Sequence, residues 1–152
     1  MAKSNQILGL IKRSFVYRDS ETIKRLFIAL VRPHLEYANS VWHPRFKKDV
    51  KQIEKVQRRA TKLVTSLRDM SYQKRLQALE LPSLVYRRYR GDMIEVYKFI
   101  HGIYKSGHSL MPMAPFSALR GHTYKLKKRH CHTQLRSNFF SFRVVNLWMS
   151  SK

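Results

Sequence analysis

The chain holds nine carboxylates among 152 residues, and their spacing is poor for metal-assisted chemistry. Nucleotide transfer by two metal ions needs clustered hard oxygen ligands that clamp the attacking and leaving oxygens. No Asp-Asp pair occurs, and the closest acidic pairs are Asp19 with Glu21 and Asp92 with Glu95. On a helix Asp92 and Glu95 share a face, but Arg88 stands four residues before Asp92 and Lys98 three after Glu95. That spacing predicts ion pairs on a solvated helix rather than a catalytic dyad. His130-Cys131-His132, with His122 nearby, offers zinc-type ligands, yet adjacent side chains diverge and no second ligand pair completes a tetrahedral set. No metal site is expected there. Cys131 has no identified partner base and is not expected to act as a nucleophile. The glycine-rich phosphate loops and the nucleophile elbow are absent from the sequence, so no catalytic residue and no cofactor is expected.

What remains is positive charge. Lys and Arg number 31 against the nine acids, for a formal net charge of +22. Such an excess repels itself unless a polyanion is near, which points to RNA or DNA as partner rather than an anionic membrane. Three clusters concentrate it: Lys51, Lys55, Arg58, Arg59 and Lys62; Arg87 and Arg88, followed by Tyr89 and Arg90; and Lys125, Lys127, Lys128 and Arg129. Lysine and arginine neutralise phosphates and release counterions, and exposed aromatics stack on unpaired bases. These cations, with Arg90 set aside, are the expected phosphate contacts. Lys125 to Arg129 also fits a nuclear-import patch. The lone Cys131 rules out an internal disulfide and suits a reducing compartment. Ile7 to Ile11 is too short an apolar run for a signal peptide, and no run approaches the roughly eighteen apolar residues of a membrane span. A soluble, intracellular protein is expected.

The elements that must position these cations are mainly α-helical, because apolar residues in the first hundred positions recur at intervals of three and four. Ser20 precedes a stripe of Ile23, Leu26, Phe27, Leu30 and Val31, which Pro33 is expected to stop. A short helix then restarts at Pro33 and carries Leu35, Ala38, Val41 and Trp42. The clearest helix runs from Asp49, as N-cap, to Leu67. Val50, Ile53, Val56, Ala60, Leu63, Val64 and Leu67 gather on one arc; Lys47, Lys48, Lys51, Lys55, Arg58, Arg59 and Lys62 gather on the other, with Glu54 at its edge. Ser71 and Ser83 cap two further helices, the second with Tyr86, Tyr89, Met93, Val96, Tyr97 and Ile100 inward, and Gly102 ends it. Residues 1–102 form a helical region, 103–122 a loop or linker, and 123–152 a basic tail. No acid follows Glu95, whereas ten Lys or Arg do. In the tail, Thr123 to Lys127 alternates as an extended segment, and a terminal helix starting near Ser137 carries Phe139, Phe140, Val144, Val145, Leu147 and Trp148.

Four segments in order carry a family resemblance. Leu30-Val31-Arg32-Pro33-His34-Leu35-Glu36-Tyr37-Ala38-Asn39-Ser40-Val41-Trp42-His43-Pro44 is similar to a segment of LINE-type, non-LTR retrotransposon reverse transcriptases that follows the polymerase palm. Ile53-Glu54-Lys55-Val56-Gln57-Arg58-Arg59-Ala60-Thr61-Lys62 resembles the next block. Leu81 to Arg88 with Arg90-Gly91-Asp92-Met93 continues it, and Leu135 to Phe140 with Arg143 to Trp148 resembles the closing block. The resemblance covers essentially the whole chain. It implies a small thumb-like helical bundle and a C-terminal extension that, beside a palm domain, help hold template RNA and growing DNA. The palm aspartates lie upstream in that family, so no catalytic residue carries over. His130 and His132 stand where arginine is usual, which weakens phosphate attraction by the tail near pH 7. The resemblance therefore implies a non-catalytic piece of an RNA-directed DNA polymerase with sequence-nonspecific affinity for nucleic acid. Two alternatives accompany it: a portion of a longer active enzyme, or a partly folded relic whose Ile53 and Leu63 face lacks its docking partner.

Overall fold

The computed structural model describes residues 2–104, 111–114 and 124–150. It is mainly helical, as the sequence periodicity predicts. The chain divides into two compact units, one formed by residues 1–38 and 44–88, the other by residues 39–43 together with those from Tyr89 on. This differs from the division expected at 102 and 123, and each unit has its own apolar core.

The first unit begins with helix α1 (Ala2–Ser14), which buries Leu8 and Ile11. Helix α2 (Ser20–Leu26) is capped by the Asp19 carboxylate, which accepts from the Thr22 amide at 2.9 Å. Hydrogen bonding from Thr22 holds the Asp19 carboxyl below its ordinary range. Pro33 does not stop the helix that follows. The backbone widens into a π turn over Phe27–Val31, where the Arg32 amide reaches back to the Phe27 carbonyl, and then resumes as α3 (Arg32–Glu36). The wide turn takes proline, which has no amide to donate, without breaking the helical path. Phe27, Val31 and Leu35 are thereby all carried to the core. The helix ends at Glu36, short of the expected Trp42; Ala38 has φ +50°, and Val41 and Trp42 are exposed.

Helix α4 (Lys47–Thr61) starts before the expected cap: Asp49 lies in its first turn, and Phe46 occupies the cap position without a side-chain bond. It also ends earlier than Leu67, passing through a turn into a single 3-10 turn, Thr65–Leu67. The expected apolar arc is otherwise found: Ile53, Val56, Ala60, Val64 and Leu67 are buried, with Leu63 packed against them. Ile53 is buried in this unit's own core and Leu63 packs against it. At roughly 1.5–3 kcal/mol for each fully buried large aliphatic side chain, this arc fastens α4 to the unit. Glu54, expected at the edge of the basic strip, is buried and accepts from the Tyr72 hydroxyl at 2.5 Å. Burial first, and then the neighbouring Glu54, push the Tyr72 hydroxyl well above its ordinary pKa. Ser71 caps α5 (Tyr72–Ala78) as predicted, and Glu80, at φ +52°, closes its C-terminal end.

Helix α6 (Leu84–Ile100) starts at Ser83, whose hydroxyl accepts from the Tyr86 amide at 3.2 Å, and stops at Gly102 with φ +65°. Both ends agree with the sequence; its inward face agrees in part, since Val96 is buried and Met93 and Ile100 pack against a core. The buried line is Leu84, Arg88, Asp92 and Val96, each one turn from the last, whereas Tyr86, Tyr89 and Tyr97 are exposed. In the second unit Val96 joins Met111, Leu126, Val144 and Val145 in a core that Met93, Phe99, Phe140 and Trp148 flank. The predicted extended segment appears as a single antiparallel bridge between Met113 and Leu126, with Lys125 and Lys127 pointing out and Leu126 in. Helices α7 (Gln134–Ser137) and α8 (Phe140–Ser150) complete the tail. Most of the expected 103–122 linker, and Thr123, lie outside the described residues. Among the described residues no helix is long and apolar enough to cross a membrane.

Candidate nucleic-acid interface

The apolar arc of α4 decides where its cations go. With Ile53, Val56 and Ala60 turned to the core, the 3.6-residue period puts Lys47, Lys48, Lys51, Lys55, Arg58, Arg59 and Lys62 on the solvent side, and all seven are exposed. Lys51 and Lys62 are eleven residues apart, about 16 Å along the axis at the usual helical rise. Two arginines of the strip are braced by neighbours. Arg59 donates from Nη1 to the Asn5 Oδ1 of α1 at 3.0 Å, and the Arg58 guanidinium lies 4.6 Å from the Tyr72 ring centroid. Among the described residues, no carboxylate pairs with Lys51, Lys55 or Lys62.

The second expected cluster is corrected by the fold. Arg87 forms a two-pronged pair with Glu36, donating from Nε and, at 2.9 Å, from Nη2. That hydrogen bonding raises the Arg87 pKa above its ordinary value. Arg32 stands 3.9 Å from the same carboxylate, and partial burial together with the Arg87 charge lowers its pKa. Arg88 is 2% exposed, on the buried line of α6. One arginine is thus engaged by an acid and the other lies inside, so neither is placed as a phosphate contact. The helical period determines the second outcome, because Arg88 is one turn from buried Leu84 and Asp92.

The third cluster belongs to the second unit. Lys125, Lys127, Lys128 and Arg129 are all exposed. Next to them in the chain, Tyr124 takes part in a row of rings: Tyr97 stacks on His101 at 3.9 Å between centroids, and His101 lies 5.0 Å from Tyr124. The Trp148 indole fixes this row by donating to the Tyr124 carbonyl at 2.9 Å. Tyr97 and Tyr124 are 51% and 42% exposed, enough ring surface to stack on an unpaired base. Assigning the tyrosines of α6 to the core concealed this row from the sequence reading.

The acidic pair of α6 is divided. Glu95 pairs with Lys98 at 3.0 Å, as the spacing predicts, and accepts from the Tyr104 hydroxyl at 2.5 Å. Burial alone would raise the Glu95 pKa, but the hydrogen bonds from Tyr104 and Lys98 outweigh it and lower the value. Asp92 does not lie on a solvated face. Its buried carboxylate is held by Arg143. The rings of His130 and His132 meet at 4.7 Å, and His122 is outside the described residues; among those described, no group of three or more His, Cys, Asp or Glu could hold a metal ion.

Cations missed by the sequence reading gather where α4 ends. Lys12, Arg18 and Arg68, from three separate stretches of the first unit, line one cleft with Arg59 and Lys62. No local spacing links them, so only the fold reveals the group. The chain matches no family model, no curated protein and no solved structure in comparison with known proteins.

Proposed function

We propose that this protein is a non-catalytic, thumb-like nucleic-acid-binding segment of the LINE-type reverse transcriptase kind, which grips RNA or DNA through phosphates without reading sequence. The observation that carries the reading is the α4 strip: seven exposed cations on one face of a helix whose other face is fastened to a core. A rigid row of cations attracts a polyanion and releases its counterions on contact. Lys125, Lys127, Lys128 and Arg129 supply further charge, and the ring row of Tyr97, His101 and Tyr124 supplies base-stacking surface, which favours single strands. Donors of this kind sit on the phosphate backbone and carry no base code.

The test is fluorescence anisotropy with single-stranded RNA oligonucleotides of unrelated sequence, beside a primer-extension assay with divalent metal. The reading expects similar affinities for all sequences in dilute buffer, steep weakening with salt, and no nucleotide incorporation. Salt-independent binding, absence of binding, or incorporation by the purified chain would overturn it.

A further inference from the structure

The cleft at the C-terminal end of α4 has a volume of about 490 Å³ and is lined by Lys12, Arg18, Arg59, Lys62 and Arg68, with Leu63 and Thr65. Among the described residues no carboxylate lines it. Three stretches of chain converge here: the end of α1, the segment after it, and the last turn of α4 with the turn that follows it. The last two are tied together by the Thr65 amide, which donates to the Arg18 carbonyl at 3.4 Å. Arg59 is held from outside by Asn5, so its guanidinium is braced before any ligand arrives. The Nε of Arg18 is buried and has no acceptor among the described residues, a donor in want of an oxygen. Five like charges around one concavity repel each other, and a low-dielectric wall strengthens that repulsion. An anion seated among them reverses the sign of the interaction. Arginine forks and a threonine hydroxyl match the tetrahedral oxygens of phosphate.

We propose that this cleft seats one phosphate group of a bound nucleic-acid strand and so fixes the strand at the end of the α4 strip. The proposal rests on the nucleic-acid reading above and adds to it a defined anchoring point. The seated group is either an internal phosphodiester or a 5′-terminal phosphate, which share the same oxygens.

The experiment measures binding of a 20-nucleotide single-stranded RNA, with 5′-phosphate or 5′-hydroxyl, across a salt series. The proteins are the wild type, Lys12→Gln/Arg68→Gln, and Lys3→Gln/Lys74→Gln, which removes the same charge from exposed sites that do not line the cleft. Lys12 and Arg68 are exposed, and circular dichroism checks that their double variant keeps its helices. Should it fail to fold, Arg68→Gln alone is read in the same way. The expected result is a log-log salt slope shallower by about 0.7 in the cleft variant, the loss of one single-strand phosphate contact, with a smaller change in the control. An advantage of the 5′-phosphate RNA that disappears in the cleft variant identifies the terminal phosphate; equal binding of the two RNAs, with the slope reduced for both, identifies an internal one. Equal losses in the cleft and control variants overturn the cleft while leaving the nucleic-acid reading standing. A wild type that binds neither RNA overturns both.

Discussion

Arg143 holds Asp92 through two hydrogen bonds, Nε to Oδ2 at 3.1 Å and Nη2 to Oδ1 at 2.8 Å, across 51 residues of sequence. The same guanidinium donates to the Ser40 carbonyl at 3.0 Å and to the Asn138 carbonyl at 3.1 Å. One side chain therefore ties α6, the 39–43 segment and the tail into the second unit. The Asp92 side chain has no exposed surface, and that of Arg143 has 9%. Removing one partner of such a pair takes the opposite charge from the other, although Asp92 keeps His43 Nδ1 at 3.7 Å and Arg143 its carbonyl acceptors, a loss of roughly 3–5 kcal/mol at most. Arg143→Ala is expected to strip amide-exchange protection from α8 and the second half of α6. Asp92→Ala/Arg143→Ala should cost less than the two single losses combined. Additive losses in a double-mutant cycle would contradict this coupling.

Glu80 ends α5 in the left-handed region at φ +52°, a position that glycine adopts at no steric cost. The Leu81 amide closes the end by donating to the Leu76 carbonyl at 2.9 Å, the 6→1 bond of a Schellman turn. Glu80→Gly relieves the backbone but gives up an ion pair with Lys24 at 3.0 Å, in which the glutamate is 82% exposed. Exposed pairs contribute little, so the backbone gain, on the order of 1 kcal/mol, should prevail. A higher urea midpoint is expected; a lower one would show that the ion pair matters more than the strain.

The sequence was most informative where a single helix solves a local problem. The face of α4, the serine caps of α5 and α6, and the stop at Gly102 all follow from periodicity or backbone chemistry within one turn. It was least informative where a polar residue depends on a distant partner. Asp92 reads as a surface charge until Arg143 is brought to it, and Arg87 reads as a free cation until Glu36 is. Tyrosine has an apolar ring and a polar tip, so spacing alone cannot decide whether Tyr97 faces in or out. Pro33 signals a break because the widened turn before it has no local signature. Three segments far apart in sequence meet at one point, through Asn39 and Ser40, Asp92, and Arg143.

Acid should loosen the region around Tyr104. The Glu95 carboxyl is lowered by the net effect of burial, opposed by hydrogen bonds from Tyr104 and Lys98. A carboxylate with a depressed folded pKa contributes stability above its unfolded value, near 4.5 here, and loses it as pH falls through the folded value. Tyr104→Phe removes one of those hydrogen bonds. NMR titration is expected to place the Glu95 pKa higher in the variant than in the wild type, with a correspondingly smaller loss of stability between pH 5 and pH 3. An unchanged Glu95 titration would contradict the assignment.

The most direct measurement is the salt dependence of single-stranded RNA binding by the wild type and by Lys51→Gln/Lys55→Gln. Both lysines are exposed on α4, and glutamine supports a helix about as well as lysine. If this strip neutralises phosphates, the wild-type affinity falls steeply with salt, and the double variant has a log-log slope shallower by about 1.4, or 0.7 for each lost contact. Identical slopes for the two proteins, or a wild type indifferent to RNA in dilute buffer, would contradict the account.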